Sequence, residues 1–220
     1  EINPLRALVI LPAALIFNWL SEIKKFNPTL HIKRHIGANR SKKSNDIANF
    51  DIVLTTYQTA LRDIKVLEKI DWEYIVLDES QMIKNKNSKL FQGINTLNAV
   101  NKISLSGTPI ENSLSDLWAQ MQFINDGMLG TFPFFKKNYL IPIEKHNDES
   151  ASEELAKLVQ PYILRRTKEE VAKDLPALTE KVEYVDLGKD QKEEYEKLKN
   201  GTRNYLLGLD KGDSSFNIHV

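Results

Sequence analysis

The chain contains no cysteine, which excludes disulfides, thiolate zinc sites and a cysteine nucleophile and leaves the redox compartment open. No apolar run is longer than that of Ala7 to Leu11, far short of a bilayer span, so no membrane association is expected. The opening residues carry no signal-peptide pattern. Net charge is also missing: 30 Lys+Arg stand against 30 Asp+Glu, so no global field draws the chain to a polyanion and any such partner must be held by local patches. What is present, 41% hydrophobic and 27% charged residues over 220 positions, suits one large globular domain, or one domain with an appendage, and argues against wholesale disorder. The chain opens Glu-Ile-Asn-Pro, without Met, straight into a strand-like run, as a piece cut from something longer would.

The first half alternates strand and helix patterns. Ala7 to Leu11 is a continuous apolar run stopped by Pro12, as expected of a buried parallel strand, and Leu15, Ile16, Trp19, Ile23 and Phe26 follow at helical spacing. A weak alternation at His31 to Ile36 suggests a second strand. Ile52-Val53-Leu54 ends in Thr55-Thr56, Tyr74 to Leu77 ends in Asp78-Glu79, and Ile103-Ser104-Leu105 ends in Ser106-Gly107-Thr108-Pro109. Helical patterns occupy Tyr57 to Asp63, Ser88 to Leu97 and Ser113 to Ile124. This rhythm predicts an α/β fold, a parallel sheet flanked by helices. Beyond Asn125-Asp126-Gly127 the character changes: Phe132 to Tyr139 is aromatic and basic, His146 to Ser152 reads as an acidic loop, and helical patterns follow at Ser152–Gln160 and Lys168–Asp174. Glu180 to Leu187 alternates polar and apolar, which predicts a further strand in an edge position of the sheet, and Gln191 to Leu207 a charged amphipathic helix.

In open parallel sheets ligands sit outside the carboxyl ends of the strands, so Thr55-Thr56, Asp78-Glu79 and Ser106-Gly107-Thr108 should line one edge. An Asp-Glu pair after an apolar strand has a chemical logic. The Asp can hold Mg²⁺, which commonly uses few carboxylates plus phosphates, and the Glu can orient and deprotonate an attacking water. From the pair alone, capping of the following helix is the more economical reading. No glycine-rich phosphate loop is present. Gly37 to Ser44 matches G-x-x-x-x-G-K-[ST] except that Lys42 replaces the second glycine, whose backbone must approach phosphate closely. That stretch lies in the most basic part of the chain, Lys24 to Lys43, and reads as a solvated loop. The four histidines suggest no metal site, and Trp19, Trp72 and Trp118 read as packing residues rather than base-stacking platforms. The Arg165-Arg166 pair allows either a phosphate contact or a pin on the preceding segment.

Five blocks taken together resemble a known family. They are Leu8 to Pro12 with Asn18-Trp19; Asp51 to Tyr57; Leu77 to Gln81 with Ile83-Lys84-Asn85; Leu105 to Asn112 with Asp116-Leu117-Trp118; and Pro161 to Lys168 with Leu175-Pro176. In this order they resemble the first ATPase lobe of the Swi/Snf family of superfamily-two, helicase-like DNA translocases. The resemblance implies a RecA-like sheet of the P-loop NTPase type with an inserted helical subdomain, cut before the phosphate-binding loop. It would divide the chain into a lobe core at 1–126, a helical protrusion at 127–178, a returning strand and helix at 179–208 and a flexible tail at 209–220. It makes Asp78 the magnesium-holding acid, through water, Glu79 the water-activating acid, and Gln81 a contact to the nucleotide or to the motif after the next strand. Ser106, Gly107 and Thr108 would couple nucleotide state to DNA grip, while Pro12, Ala13, Thr55, Thr56, Lys84 and Asn112 would track the backbone of DNA. Ser80 departs from the commoner Ala or Gly of the acidic box. The implied cofactors are ATP and Mg²⁺. The implied partners are double-stranded DNA and a second RecA-like lobe of the same protein, in the bacterial cytoplasm or, for a eukaryotic source, the nucleus. The expected function is DNA-dependent ATP hydrolysis driving movement on duplex DNA, with the isolated chain inactive. The alternatives are a strand-separating helicase or restriction-type translocase and a non-catalytic DNA-binding module.

Overall fold

The computed structural model describes residues 5–107, 113–166, 168–171 and 181–209. Five strands, β1 Ala7–Leu11, β2 Ile32–Arg34, β3 Ile52–Thr56, β4 Trp72–Asp78 and β5 Ala99–Leu105, form one parallel sheet in the order β2-β3-β1-β4-β5. The apolar run of β1 is central and buried throughout, because helices cover both faces of a parallel sheet and neither face of its middle strand meets water.

The two faces carry separate cores. On one, Ala7, Val9 and Leu11 of β1 and Ile52 and Leu54 of β3 pack with Ile16, Trp19, Leu20 and Ile23 of helix α1 (Ile16–Phe26). These positions recur at three- and four-residue spacing, so one stripe of the helix faces the sheet. The helix stops at Asn27, before Pro28, with Lys24 and Lys25 in a last turn where positive charge is favourable. On the other face, Leu8, Ile10, Val53, Ile75 and Leu77 pack against α3 (Tyr57–Arg62), α5 (Lys89–Asn95) and α6 (Leu114–Ile124), while the short α2 (Ser44–Ala48) and α4 (Ile64–Leu67) contribute Ile47 and Leu67. Side-chain oxygens start α3, α5 and α6: Thr56 accepts from the Thr59 N–H at 3.2 Å, Ser88 from Phe91 at 3.0 Å and Ser113 from Ser115 at 3.0 Å.

After α6 the chain turns at Gly127, whose φ of 79° suits glycine, and enters a helical stretch. It comprises α7 (Phe132–Phe135), a π-helical turn at Lys136–Leu140, α8 (Ile141–His146) and α9 (Glu149–Val159). Pro142 lacks an N–H and would crowd the carbonyl four residues before it in a regular helix, which accounts for the wider turn that precedes it. Phe135, Tyr139, Leu155 and Val159 join the same core as the sheet. The expected acidic loop at His146 to Ser152 shrinks to Asn147-Asp148: Asp148 caps α9 by accepting from Ala151 N–H at 3.0 Å, so the acids after it are a helix start.

The chain divides after Leu164. In the second part, α10 (Lys168–Val171) and α11 (Lys189–Leu209) are the described helices. The strand expected at Glu180 to Leu187 is not formed: Lys181 to Gly188 adopt no regular secondary structure and are exposed, and Glu180 lies outside the described residues. The alternation there puts Tyr184 and Asp186 on one side and Glu183 and Val185 on the other, so neither side offers a clean apolar face to bury. Residues 172–178, the end of the expected protrusion, and 210–220 of the expected tail also lie outside the described residues. Among the described residues no helix is long and apolar enough to cross a membrane.

Candidate functional site

The register aligns Thr55 of β3 with Ile10 of β1, Ile10 with Leu77 of β4, and Asp78 with Leu105 of β5. Thr55-Thr56, Pro12-Ala13, Asp78-Glu79 and Ser106-Gly107 therefore share the carboxyl edge of the sheet, as expected, with β1 lying between the threonines and the acids. Thr108 and Asn112 lie outside the described residues.

Asp78 ends β4 half-buried and held from three directions. The indole N–H of Trp19 donates to its Oδ2 at 2.7 Å, the backbone N–H of Glu79 donates to its Oδ1 at 2.9 Å, and the Tyr57 hydroxyl donates to its carbonyl at 2.8 Å. Burial pushes the Tyr57 hydroxyl far up from its ordinary value, and the negative charges of Asp78 and Glu79 push it further, so it remains a donor at any physiological pH. Trp19 and Tyr57 hold this site, and residue-type reasoning missed them. A tryptophan on the apolar stripe of α1 reads as core until the fold brings its N–H to a residue 59 positions away.

Glu79 sits in the left-handed region, at φ 52° and ψ 51°, and precedes a 3₁₀ turn at Ser80–Ile83. A non-glycine residue is strained there, so the surrounding bonds must impose the conformation. Gln81 supplies one of them, donating from Nε2 to Glu79 Oε2 at 2.6 Å, while its Oε1 accepts from the Ser106 hydroxyl at 3.0 Å. Gln81 thus bridges the acidic turn to the end of β5. Ser80 is fully buried and donates to Gln120 Oε1 at 3.2 Å, an acceptor that Ser104 of β5 shares at 3.1 Å. The helix-capping alternative does not describe this geometry, because the backbone N–H that the Asp78 carboxylate takes is that of the adjacent Glu79 and no side-chain cap is made by Glu79.

The expected DNA-tracking residues are placed unequally. Pro12 is half-buried and Ala13 exposed at the turn after β1, and Lys84 is exposed just after the 3₁₀ turn. Thr55 is fully buried with its hydroxyl donated to the His35 carbonyl at 2.8 Å, and Thr56 is occupied as the cap of α3. Both threonines shape this edge from inside.

The basic loop is exposed over much of its length, as expected, and is also anchored. Asp63, 4% exposed, accepts from Arg40 Nη2 at 3.0 Å and Lys42 Nζ at 2.5 Å, and its Oδ2 contacts both Arg40 Nε and, at 2.9 Å, His35 Nε2. Lys42, which spoils the phosphate-loop pattern, thus engages a carboxylate. Burial raises the proton affinity of Asp63, but hydrogen bonds from Arg40, Lys42 and His35 outweigh it and hold the carboxyl well below the usual range. His35 is a buried structural node. Among the described residues no three His, Asp or Glu side chains gather as a metal cluster.

The family described as the SNF2-related domain matches residues 4–218, and the chain belongs to it. YwqA of Bacillus subtilis, named as an ATP-dependent helicase/translocase, is 39% identical over 92% of this chain and 22% of its own length. The TATA-binding protein-associated factor MOT1 of Saccharomyces cerevisiae is 34% identical over 89% of this chain and 11% of its own. Among solved structures, the Sulfolobus solfataricus SWI2/SNF2 ATPase core in complex with dsDNA superposes with a TM-score of 0.72 at 42% identity, over 80% of this chain and 37% of that one. The chain thus spans 22% of the length of the first of these relatives, and the fold is that of a RecA-like ATPase core.

Proposed function

We propose that this member of the SNF2-related domain family is the first lobe of a DNA-dependent ATPase that moves on duplex DNA and remodels the protein–DNA complexes it meets. The observation that carries the reading is the continuous line Asp78–Glu79–Gln81–Ser106 along the carboxyl edge of the sheet. It joins two carboxylates, at the position where open α/β sheets bind ligands, to a serine just past the end of the neighbouring strand.

The donor set of Asp78 suits Mg²⁺. Each carboxylate oxygen accepts one hydrogen bond and keeps lone-pair capacity, and a hard cation that retains waters needs only one or two protein carboxylates beside nucleotide phosphates. When bound, the ion would neutralise charge developing on the phosphates. Trp19 and the Glu79 N–H orient the Asp78 carboxylate for that role. Glu79, with Oε2 engaged by Gln81, keeps Oε1 for a water, which it would orient and deprotonate. Gln81 would then carry changes at the nucleotide to Ser106, and Gly107 and Thr108 would share that coupling role. The turn after β1, at Pro12-Ala13, and Lys84 would meet DNA phosphates, as would Asn112, with Thr55 and Thr56 supporting that edge. A second lobe of the same protein would complete the ATP site.

The protein as its gene encodes it should hydrolyse ATP faster with duplex DNA than without it. It should displace a triplex-forming strand in an ATP-dependent manner while leaving a naked forked duplex paired. Strand separation on the fork would favour the helicase alternative, and DNA binding with no ATP turnover would favour the non-catalytic one.

A further inference from the structure

Ser80 is the one position where the acidic box departs from the small apolar residue expected, and it places a hydroxyl where no water reaches. The partner is Gln120 of α6, 6% exposed, whose Oε1 accepts from Ser80 at 3.2 Å and from Ser104 at 3.1 Å. Ser104 stands on β5 opposite Leu77, and two residues on is Ser106, the partner of Gln81. The bonds close into a ring. Glu79 is tied through Gln81 to Ser106, the strand leads back to Ser104, Gln120 bridges Ser104 to Ser80, and Ser80 is the covalent neighbour of Glu79.

A buried hydroxyl without a partner is costly, so the Ser80–Gln120 pair stands together as a unit. Avoiding that cost would by itself require only that all three side chains be apolar. The left-handed backbone at Glu79 gives the polar bridge a further task, because a non-glycine residue remains at φ 52° only while its surroundings over-determine it. Gln81 fixes the side chain of Glu79, and Ser80 anchors the backbone immediately after it.

We propose that Gln120 is a positioning residue for Glu79, holding the acidic turn against β5 by clamping Ser80 to Ser104. The proposal rests on the role of Glu79 given above. It makes α6 a lever on the acidic turn, since α6 packs on both the 3₁₀ turn and β5.

The test compares Gln120→Met with the triple variant Ser80→Ala/Ser104→Ala/Gln120→Met in the protein as its gene encodes it. Gln120→Met should lower thermal stability by leaving two hydroxyls unpaired. It should speed amide exchange at residues 79–83 and reduce DNA-stimulated kcat by about tenfold, with KM for ATP within about twofold of wild type. The triple variant, with no orphaned hydroxyl, should regain the thermal stability but neither the slow exchange nor the kcat. Recovery of kcat by the triple variant would overturn the proposal, as would unchanged exchange at 79–83 in Gln120→Met. If the wild-type protein hydrolyses no ATP, the assignment of Glu79 fails, and the exchange measurement alone decides whether Gln120 holds the turn.

Discussion

Trp19 donates its indole N–H to Asp78 Oδ2 at 2.7 Å, joining the helix after β1 to the acid at the end of β4. The strand that precedes that helix and the strand that Asp78 ends are neighbours in the sheet, and the bond fixes one carboxylate oxygen while the Glu79 N–H fixes the other. A carboxylate so held has little freedom to turn away from a ligand at this edge.

Trp19→Phe keeps most of the packing of the ring against the sheet and removes the donor. A hydrogen bond to a charged group is worth roughly 1.5–3 kcal/mol, so ATP turnover by the gene-encoded protein should fall by about tenfold or more. Steady-state kinetics beside thermal unfolding would check this: a large loss of stability with unaltered turnover would assign Trp19 to packing alone.

Glu79→Gln retains size and hydrogen-bonding capacity while removing the base. General-base catalysis contributes about 10²–10⁴ in rate, and turnover should fall by that order while ATP binding persists. Equilibrium binding of a fluorescent nucleotide, measured beside hydrolysis, separates the two. A variant with normal turnover would refute the role given to Glu79.

The Asp63 cluster should set the response to acid. Burial depresses His35 below the ordinary value of 6.5 despite its bond to Asp63, so the folded state resists a proton that the unfolded chain accepts. Stability contributed by neutral His35 is then complete above 6.5 and drains as pH falls from there towards the folded value. Asp63 is depressed below its ordinary 3.8, so its contribution is complete above that value and is lost only below it. Chemical denaturation at pH 7 and pH 5 should therefore show a loss that is smaller in His35→Gln. Asp63→Asn leaves Arg40, whose side chain is 10% exposed, without its carboxylate and should cost about 3 kcal/mol. An Asp63→Asn protein as stable as wild type would mean that the cluster does not anchor the loop.

The 220-residue chain alone, which contains no intact phosphate loop, should hydrolyse no ATP even with Mg²⁺ and DNA. Its DNA binding should be weak and strongly dependent on salt, because a chain of zero net charge relies on local contacts, each adding about 0.9 to the slope of log affinity against log salt on duplex DNA. Titrations between about 50 and 200 mM salt test this, and tight, salt-independent binding would contradict it.

The parallel sheet was legible in the chain because short apolar runs bounded by turn residues report burial on both faces. The runs ending at Leu11, Leu54, Leu77 and Leu105 correspond to β1, β3, β4 and β5, and parallel order alone put Asp78 and Ser106 on one edge. Patterns with no clean apolar face were not decisive: Lys181 to Gly188 alternates in sequence yet forms no strand, since alternation stabilises a strand only where one side can be buried. Local pattern also could not reveal bonds between residues distant along the chain. A tryptophan and a lysine in a broken phosphate-loop motif read as packing and surface until the fold set them beside Asp78 and Asp63, and a glutamine on α6 carried no signal until it stood beside Ser80. The sequence by itself determined the buried strands β1, β3, β4 and β5 and which chemical groups end them, because those follow from neighbours along the chain. Only the tertiary structure decided which of those groups are held and by what, because a hydrogen bond depends on a distance that sequence separation does not encode.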